Sequence, residues 1–121
     1  MQAHRPTDIR LMQKSRILEI DFEDGARFRL PCEYLRVYSP SAEVRGHGPG
    51  QEVLQTGKEQ VNITAIEPVG NYAVRLQFDD DHNTGLYSWD LLYKLGVNQE
   101  TLWDEYLDRL AKAGYQRTPK P

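Results

Sequence analysis

The sequence predicts an α+β fold, with a small, mostly antiparallel β-sheet and C-terminal helices packed on it in a single domain. Three observations lead to this prediction. The chain has 121 residues, which is the length of one domain. Apolar and polar side chains alternate, as they do in strands, in segments up to about residue 87. Beyond Ser88 the apolar residues recur at helical spacing instead.

The clearest strand prediction is a hairpin at Asp24-Gly25. Residues 17–22 and 26–30 alternate on either side of this dipeptide, which is typical of a tight turn between antiparallel strands. Leu18, Ile20 and Phe22 are expected to face inward. The outward-facing charges of the two strands are expected to pair across the sheet: Glu19 and Asp21 on one strand, Arg27 and Arg29 on the other.

Further strands are expected at Asp8–Met12, Val61–Ile66, Tyr72–Phe78 and Gly85–Tyr87. Cys32–Tyr38 is ambiguous and has one possible helical turn after Pro31. Residues 39–51 are too rich in Gly and Pro for a helix or a strand and are expected to form a loop.

Two helices are predicted at the C-terminal end. Ser88 is a good N-cap for a short helix that Gly96 would close. Asn98 could cap the second helix, which Gly114 would end. The six aromatic residues on these strands and helices have the spacing of core residues: Tyr72, Tyr87, Trp89, Tyr93, Trp103 and Tyr106.

Boundaries and charge limit the possible partners. We expect a flexible arm at 1–7, a folded domain at 8–114 and a flexible tail at 115–121. The net charge is −3, with basic ends and an acidic centre, which argues against a nucleic-acid partner. No apolar run approaches about 18 residues, so no membrane span is expected. The lack of an apolar stretch after the basic N-terminus and the presence of one cysteine favour the reducing cytoplasm.

The sequence lacks the common catalytic motifs. It has no phosphate-binding Walker A pattern, no dinucleotide-binding glycine pattern, no G-x-S-x-G and no H-E-x-x-H. A nucleophilic Cys32 with a histidine base is conceivable, but a lone cysteine beside a proline is more often a packed small residue. The sequence therefore favours a non-catalytic domain.

A metal site is the first alternative. Asp80 and His82 supply a local carboxylate and imidazole, and His47 would be the distant third ligand for zinc or ferrous iron. Asp79, Asp81 and Cys32 are further donors. The same residues also fit a solvated acidic turn with an unrelated loop histidine.

A second candidate is the glycine-rich segment around His47. Its glycines would let backbone N–H groups approach an anion or a protein partner closely, and Arg36 and Arg45 could add positive charge. The alternative is a connector that needs unusual backbone angles. The predicted partner-binding residues are Arg36, Arg45, His47, Asp80 and His82.

Four segments together resemble a bacterial family of unknown function that is related to the N-terminal domain of gamma-butyrobetaine hydroxylase. The resemblance covers roughly residues 8–110 and lies in residues 34–44, 46–50, 69–74 and 78–89. It implies a small α+β domain that, in the hydroxylase, precedes the oxygenase domain. This chain is too short to contain that catalytic domain, so oxygenase activity is not implied.

The resemblance also implies a structural zinc site in the hydroxylase, held by three cysteines and a histidine. Carried onto this sequence, the cysteine positions fall on Ser39, Ser41 and Val44, and the histidine falls on His82. Because three of the four ligands are absent, no zinc or other cofactor is expected here.

Similar domains are also fused to P-loop carrier ATPases of iron–sulfur cluster assembly. This association implies an accessory role near such a partner. The sequence thus favours a non-catalytic binding or adaptor domain with a protein partner. The alternative is an iron- or zinc-binding protein, or an oxygenase-associated accessory domain, that uses His82 and the acidic turn.

Overall fold

The computed structural model describes residues 4–41, 44 and 53–117. The described residues form six strands and three helices. In chain order these are β1 (Pro6–Met12), β2 (Ile17–Phe22), β3 (Arg27–Pro31), α1 (Cys32–Val37), β4 (Ile63–Val69), β5 (Ala73–Phe78), β6 (Leu86–Ser88), α2 (Trp89–Val97) and α3 (Gln99–Lys112).

The strands form two antiparallel sheets, with the orders β1-β2-β3 and β4-β5-β6. The predicted α+β class is confirmed, and its strands divide between two sheets. The turn after β1 connects them through side chains that bond to backbone. Gln13 Nε2 donates to the Ile63 carbonyl at 3.1 Å, and Asn62 Nδ2 donates to the Gln13 carbonyl at 2.9 Å.

The predicted hairpin is confirmed. Gly25 has a φ of 90°, a left-handed angle that favours glycine, and the Ala26 N–H donates to Asp24 Oδ1 at 2.9 Å. The predicted cross-strand charges pair as well, because Arg29 lies 2.9 Å from Glu19 and Arg27 lies 3.9 Å from Asp21.

The core lies between the two sheets and the helices. Both sheets contribute fully buried side chains, and α1 and α2 complete the cluster. Burial of each large apolar side chain stabilises the fold by about 1.5–3 kcal/mol. The fully buried aliphatic residues of this cluster are Leu18, Ile20, Leu30, Leu35, Ile63, Leu76 and Leu92.

One predicted helix end is wrong, and one helix begins after its predicted N-cap residue, Asn98, without the expected side-chain bond. Gly96 lies inside α2, which continues to Val97. A Cβ at Gly96 would lie 2.3 Å from Phe28 Cγ, so this glycine permits close packing and does not end the helix. The Asn98 side chain makes no capping bond to α3. Its amide donates instead to the Lys94 carbonyl at the end of α2.

The end of α3 follows the prediction. Gly114 has a φ of 76°, its N–H donates to the Ala111 carbonyl, and the Tyr115 N–H donates to the Leu110 carbonyl. These two bonds are the Schellman arrangement for a helix C-terminus.

Of the helices in the described ranges, none has the length and apolarity needed to cross a bilayer.

Candidate functional site

Two charged clusters lie side by side on α1 and the segment that carries residues 58 and 59. The Asp80 cluster consists of Arg36, Lys58 and Asp80. The Arg117 cluster consists of Glu33, Glu59, Tyr115 and Arg117. Helix α1 contributes Glu33 and Arg36, and the other segment contributes Lys58 and Glu59. Both bases belong to the Asp80 cluster, which therefore carries an excess positive charge. Both acids belong to the Arg117 cluster, which therefore carries an excess negative charge.

In the Asp80 cluster, two basic side chains bind one partly exposed carboxylate. Asp80 Oδ2 accepts hydrogen bonds from Arg36 Nε at 2.9 Å and from Lys58 Nζ at 2.7 Å. Burial alone would raise the pKa of Asp80. The hydrogen bond from Lys58 and the charge of Arg36 together outweigh burial and hold that pKa below its usual value. Asp80 is therefore a firmly ionised group at neutral pH.

Arg36 is the buried member of this cluster, with 6% of its surface exposed. Among the described residues, its Nη1 atom is buried without a hydrogen-bond partner. A buried donor in this state costs about 1–3 kcal/mol, so its burial calls for a physical explanation.

Asp80, which pairs with Arg36, belongs to the acidic turn at residues 79–83. The Asn62 N–H donates to Asp79 Oδ1 at 3.1 Å, and the Phe78 N–H donates to the His82 carbonyl at 2.9 Å. Asp81 has a φ of 67°, which Asp and Asn tolerate better than most residues. The turn thus presents Asp79 and Asp81 as exposed residues, and the Asp80 side chain between them is partly exposed.

The four positions aligned with the hydroxylase zinc ligands lie together and are buried: Ser39, Ser41, Val44 and His82. Ser39 Oγ is 2.8 Å from His82 Nε2, and Ser41 Oγ is 2.6 Å from Thr84 Oγ1. Serine hydroxyls are poor zinc ligands compared with thiolates, and valine has no donor. This set of residues does not fit zinc.

The other candidate residues are placed as follows. In the parts of the chain that the structure describes, no three His, Cys, Asp or Glu side chains are grouped so that they could hold a metal ion. The predicted residues Arg45 and His47 lie outside the described residues. Cys32 is fully buried, with Sγ 3.8 Å from Asn62 Oδ1, as expected of a packed cysteine.

Two predicted partner-binding residues are buried, because Arg36 and His82 are 6% and 3% exposed. Their role in partner binding stays a prediction, and it would have to act through the turn that they support. Asp80 is more accessible, with 25% of its side chain exposed.

The aromatic residues mostly follow the prediction. Tyr87 and Tyr106 are buried, and Trp89, Tyr93 and Trp103 pack against the core. Tyr72 differs, because it precedes β5 and is 47% exposed.

The Arg117 cluster was missed by the sequence reasoning. Glu33 and Arg117 are 84 positions apart, and Glu59 and Tyr115 are 56 apart, so no local pattern connects them. The sequence offers only the two charged residues Glu33 and Arg36, three positions apart on the possible helical turn after Pro31.

Comparison with known proteins identifies the family. The family model described as gamma-butyrobetaine hydroxylase-like, N-terminal, matches residues 9–93, which is more than half of the chain. This chain belongs to that family. No curated protein matches it significantly.

Solved structures agree with this assignment for the gamma-butyrobetaine hydroxylase-like N-terminal family. Two protein structures solved by NMR have TM-scores of 0.83. One is 57% identical and the match covers 99% of this chain and 89% of that one; the other is 45% identical and the match covers 98% and 93%. A crystal structure of a protein of unknown function from Acidithiobacillus ferrooxidans ATCC 23270, of the DUF971 family, is 40% identical, with a TM-score of 0.65 and coverage of 76% and 92%.

Proposed function

We propose that this chain is a non-catalytic adaptor domain that presents the acidic turn to a protein partner. The observation that carries the proposal is the support of the partly exposed Asp80 carboxylate by a buried arginine. Arg36 and Lys58 both bond to Asp80, which fixes the turn in place before any partner binds. A preorganised surface loses less conformational entropy on binding.

The energetic cost of this arrangement supports a binding role. A buried arginine–carboxylate pair often contributes no more stability than apolar side chains of the same volume. Here the buried arginine also has one nitrogen without a partner among the described residues. A pair retained at such a cost is explained if it sets the geometry of the surface above it.

The chemistry of the turn indicates the kind of partner. Three adjacent aspartates, of which Asp79 and Asp81 are exposed and Asp80 is partly exposed, favour a basic protein surface and raise the rate of association with it. We further propose that the partner is a P-loop carrier ATPase of iron–sulfur cluster assembly in the cytoplasm. This step is supported by the fusion of similar domains to such ATPases and by the single, buried cysteine.

The test removes one exposed charge from the turn. Asp81→Asn keeps a residue type that tolerates the left-handed backbone angle. The matched control is Asp108→Asn, which removes an exposed carboxylate on α3 that pairs with Lys112 at 2.9 Å. Tagged proteins are purified from their own cells, and captured proteins are quantified by mass spectrometry.

We expect Asp81→Asn to capture at least fivefold less partner protein than the parent does. Asp108→Asn should capture as much as the parent. Partners that are retained equally by both variants would overturn the adaptor proposal. If the charge-dependent partner is not a P-loop ATPase, only the iron–sulfur proposal fails.

A further inference from the structure

The residues after α3 turn back onto the body of the domain. Arg117 Nε donates to Glu33 Oε2 at 3.1 Å, and Arg117 Nη2 donates to Glu33 Oε1. The guanidinium carbon also lies 5.2 Å from the centre of the Trp103 ring. Glu33 is only 4% exposed, so its carboxylate is shielded from water on most sides.

This arrangement matches the shape of a guanidinium group. Two parallel N–H···O bonds to one carboxylate need the planar fork of arginine, which lysine lacks. The indole face adds attraction for the cation. The hydrogen bonds that Arg117 donates to Glu33 hold the pKa of Arg117 above its usual value, so the group stays charged.

A second buried acid, Glu59, lies near Arg117. Tyr115 Oη donates to Glu59 Oε1 at 3.2 Å and to Oε2 at 3.0 Å, and Glu59 is 4% exposed. Burial is the largest cause of the raised pKa of Tyr115, and its bond to Glu59 adds to it, so the phenol remains a donor at neutral pH.

The attachment of the tail is made by side chains. The Tyr115 N–H bond to Leu110 belongs to the end of α3, and within the described residues 115–117 the hydrogen bonds to the rest of the domain come from the Tyr115 and Arg117 side chains. Arg117 itself is about a third exposed, at 32% of its side chain. Residues 115–117 therefore occupy the site without being part of a strand or helix.

We propose that Glu33 and Trp103 form an arginine-binding site that the chain's own tail fills, and that an arginine of a protein partner takes the same place when the tail is displaced. Release alone would leave a buried carboxylate without a cation, which is costly. Exchange for another guanidinium avoids that cost. This site is separate from the acidic turn, and it goes beyond the adaptor surface proposed above.

The test empties the site in the full chain. Arg117→Ala is titrated with N-acetyl-arginine amide, and the indole N–H signal of Trp103 is followed by NMR. An attached tail has an effective concentration in the millimolar range, so the parent should need roughly tenfold more probe for half-saturation than the variant does. The matched control is Arg109→Ala, whose guanidinium lies 5.8 Å from the centre of the Tyr38 ring, and it should behave as the parent does.

Two further arms test the chemistry. N-acetyl-lysine amide should bind Arg117→Ala at least fivefold more weakly than the arginine probe. The double variant Arg117→Ala/Glu33→Gln should lose the response. If Arg117→Ala does not fold, Arg117→Lys replaces it, and the arginine probe but not the lysine probe should raise its Tm. Equal half-saturation in parent and variant, or equal binding of the two probes, overturns the proposal.

Discussion

The buried guanidinium of Arg36 depends on the carboxylate of Asp80, which is itself partly exposed. Asp80→Asn removes the charge and leaves the arginine buried without its counter-ion. Breaking a buried pair in this way costs about 3–5 kcal/mol, and the partial exposure of Asp80 places the expected loss near the lower figure. Urea unfolding at pH 7 measures it. Asp108→Asn, with an exposed carboxylate, should change the free energy of unfolding by less than about 0.5 kcal/mol.

The same pair predicts how stability depends on pH. The pKa of Asp80 is lower in the folded state than in the unfolded chain, so its contribution is complete above the ordinary pKa of about 4. That contribution is lost as the pH falls through the folded-state value. The stability difference between the parent and Asp80→Asn should therefore shrink below pH 4. A difference that stays constant from pH 7 to pH 3 would contradict the ion pair.

Gly96 gives a prediction in which packing opposes helix propensity. Alanine is favoured over glycine inside a helix by about 1 kcal/mol. At this position, however, the added Cβ would lie 2.3–2.5 Å from three atoms of the Phe28 ring. We expect Gly96→Ala to destabilise the protein by about 1–3 kcal/mol in thermal or urea unfolding. The double variant Gly96→Ala/Phe28→Leu should cost less than the sum of the two single variants.

At the scale of the elements, Ser88 and Asn98 differ in whether their side chains cap the helix that follows them. Both precede helices, but only Ser88 makes the capping bond, in which its Oγ accepts from the Leu91 N–H at 3.1 Å. Ser88→Ala should lower the free energy of unfolding by about 1 kcal/mol. Asn98→Ala should cost clearly less, because α3 loses no capping bond. Equal losses would show that the cap at α2 contributes nothing specific.

The sequence predicted those elements whose signals are local. The Asp24-Gly25 turn, the alternation of β2 and β3 and the glycine end of α3 each depend on residues within a few positions of one another. The sequence does not reveal the packing role of Gly96 or the side-chain bond of Asn98, because these depend on Phe28, far away in the chain, and on the preceding helix. A glycine beside a predicted helix end has the same sequence signature whether it caps or packs.

For the whole molecule, the features that the sequence does not predict depend on contacts between residues that are far apart in the chain. The division into two sheets depends on side chains such as Gln13 and Asn62, which bond across 49 and 50 positions. The Arg117 cluster depends on a contact across 84 positions. The alignment with the hydroxylase ligands was different, because a family pattern already contains information on distant neighbours. It placed His82 beside Ser39, and the two side chains are in contact.

The contact between Ser39 and His82, two of the positions aligned with zinc ligands, gives a prediction for the molecule as a whole. Ser39→Cys, Ser41→Cys and Val44→Cys combined would place three thiolates around His82, a set that suits tetrahedral zinc. Zinc at 1,000 times its Kd would stabilise this variant by about 4 kcal/mol and raise its Tm by roughly 10 °C or more. EDTA should reverse the shift, and adding His82→Gln should reduce it. Zinc should leave the Tm of the parent unchanged, because serine and valine are not suitable ligands. If zinc does not raise the Tm of the triple variant, the four positions do not share one metal centre. If zinc raises the Tm of the parent, its own residues bind the metal in another way.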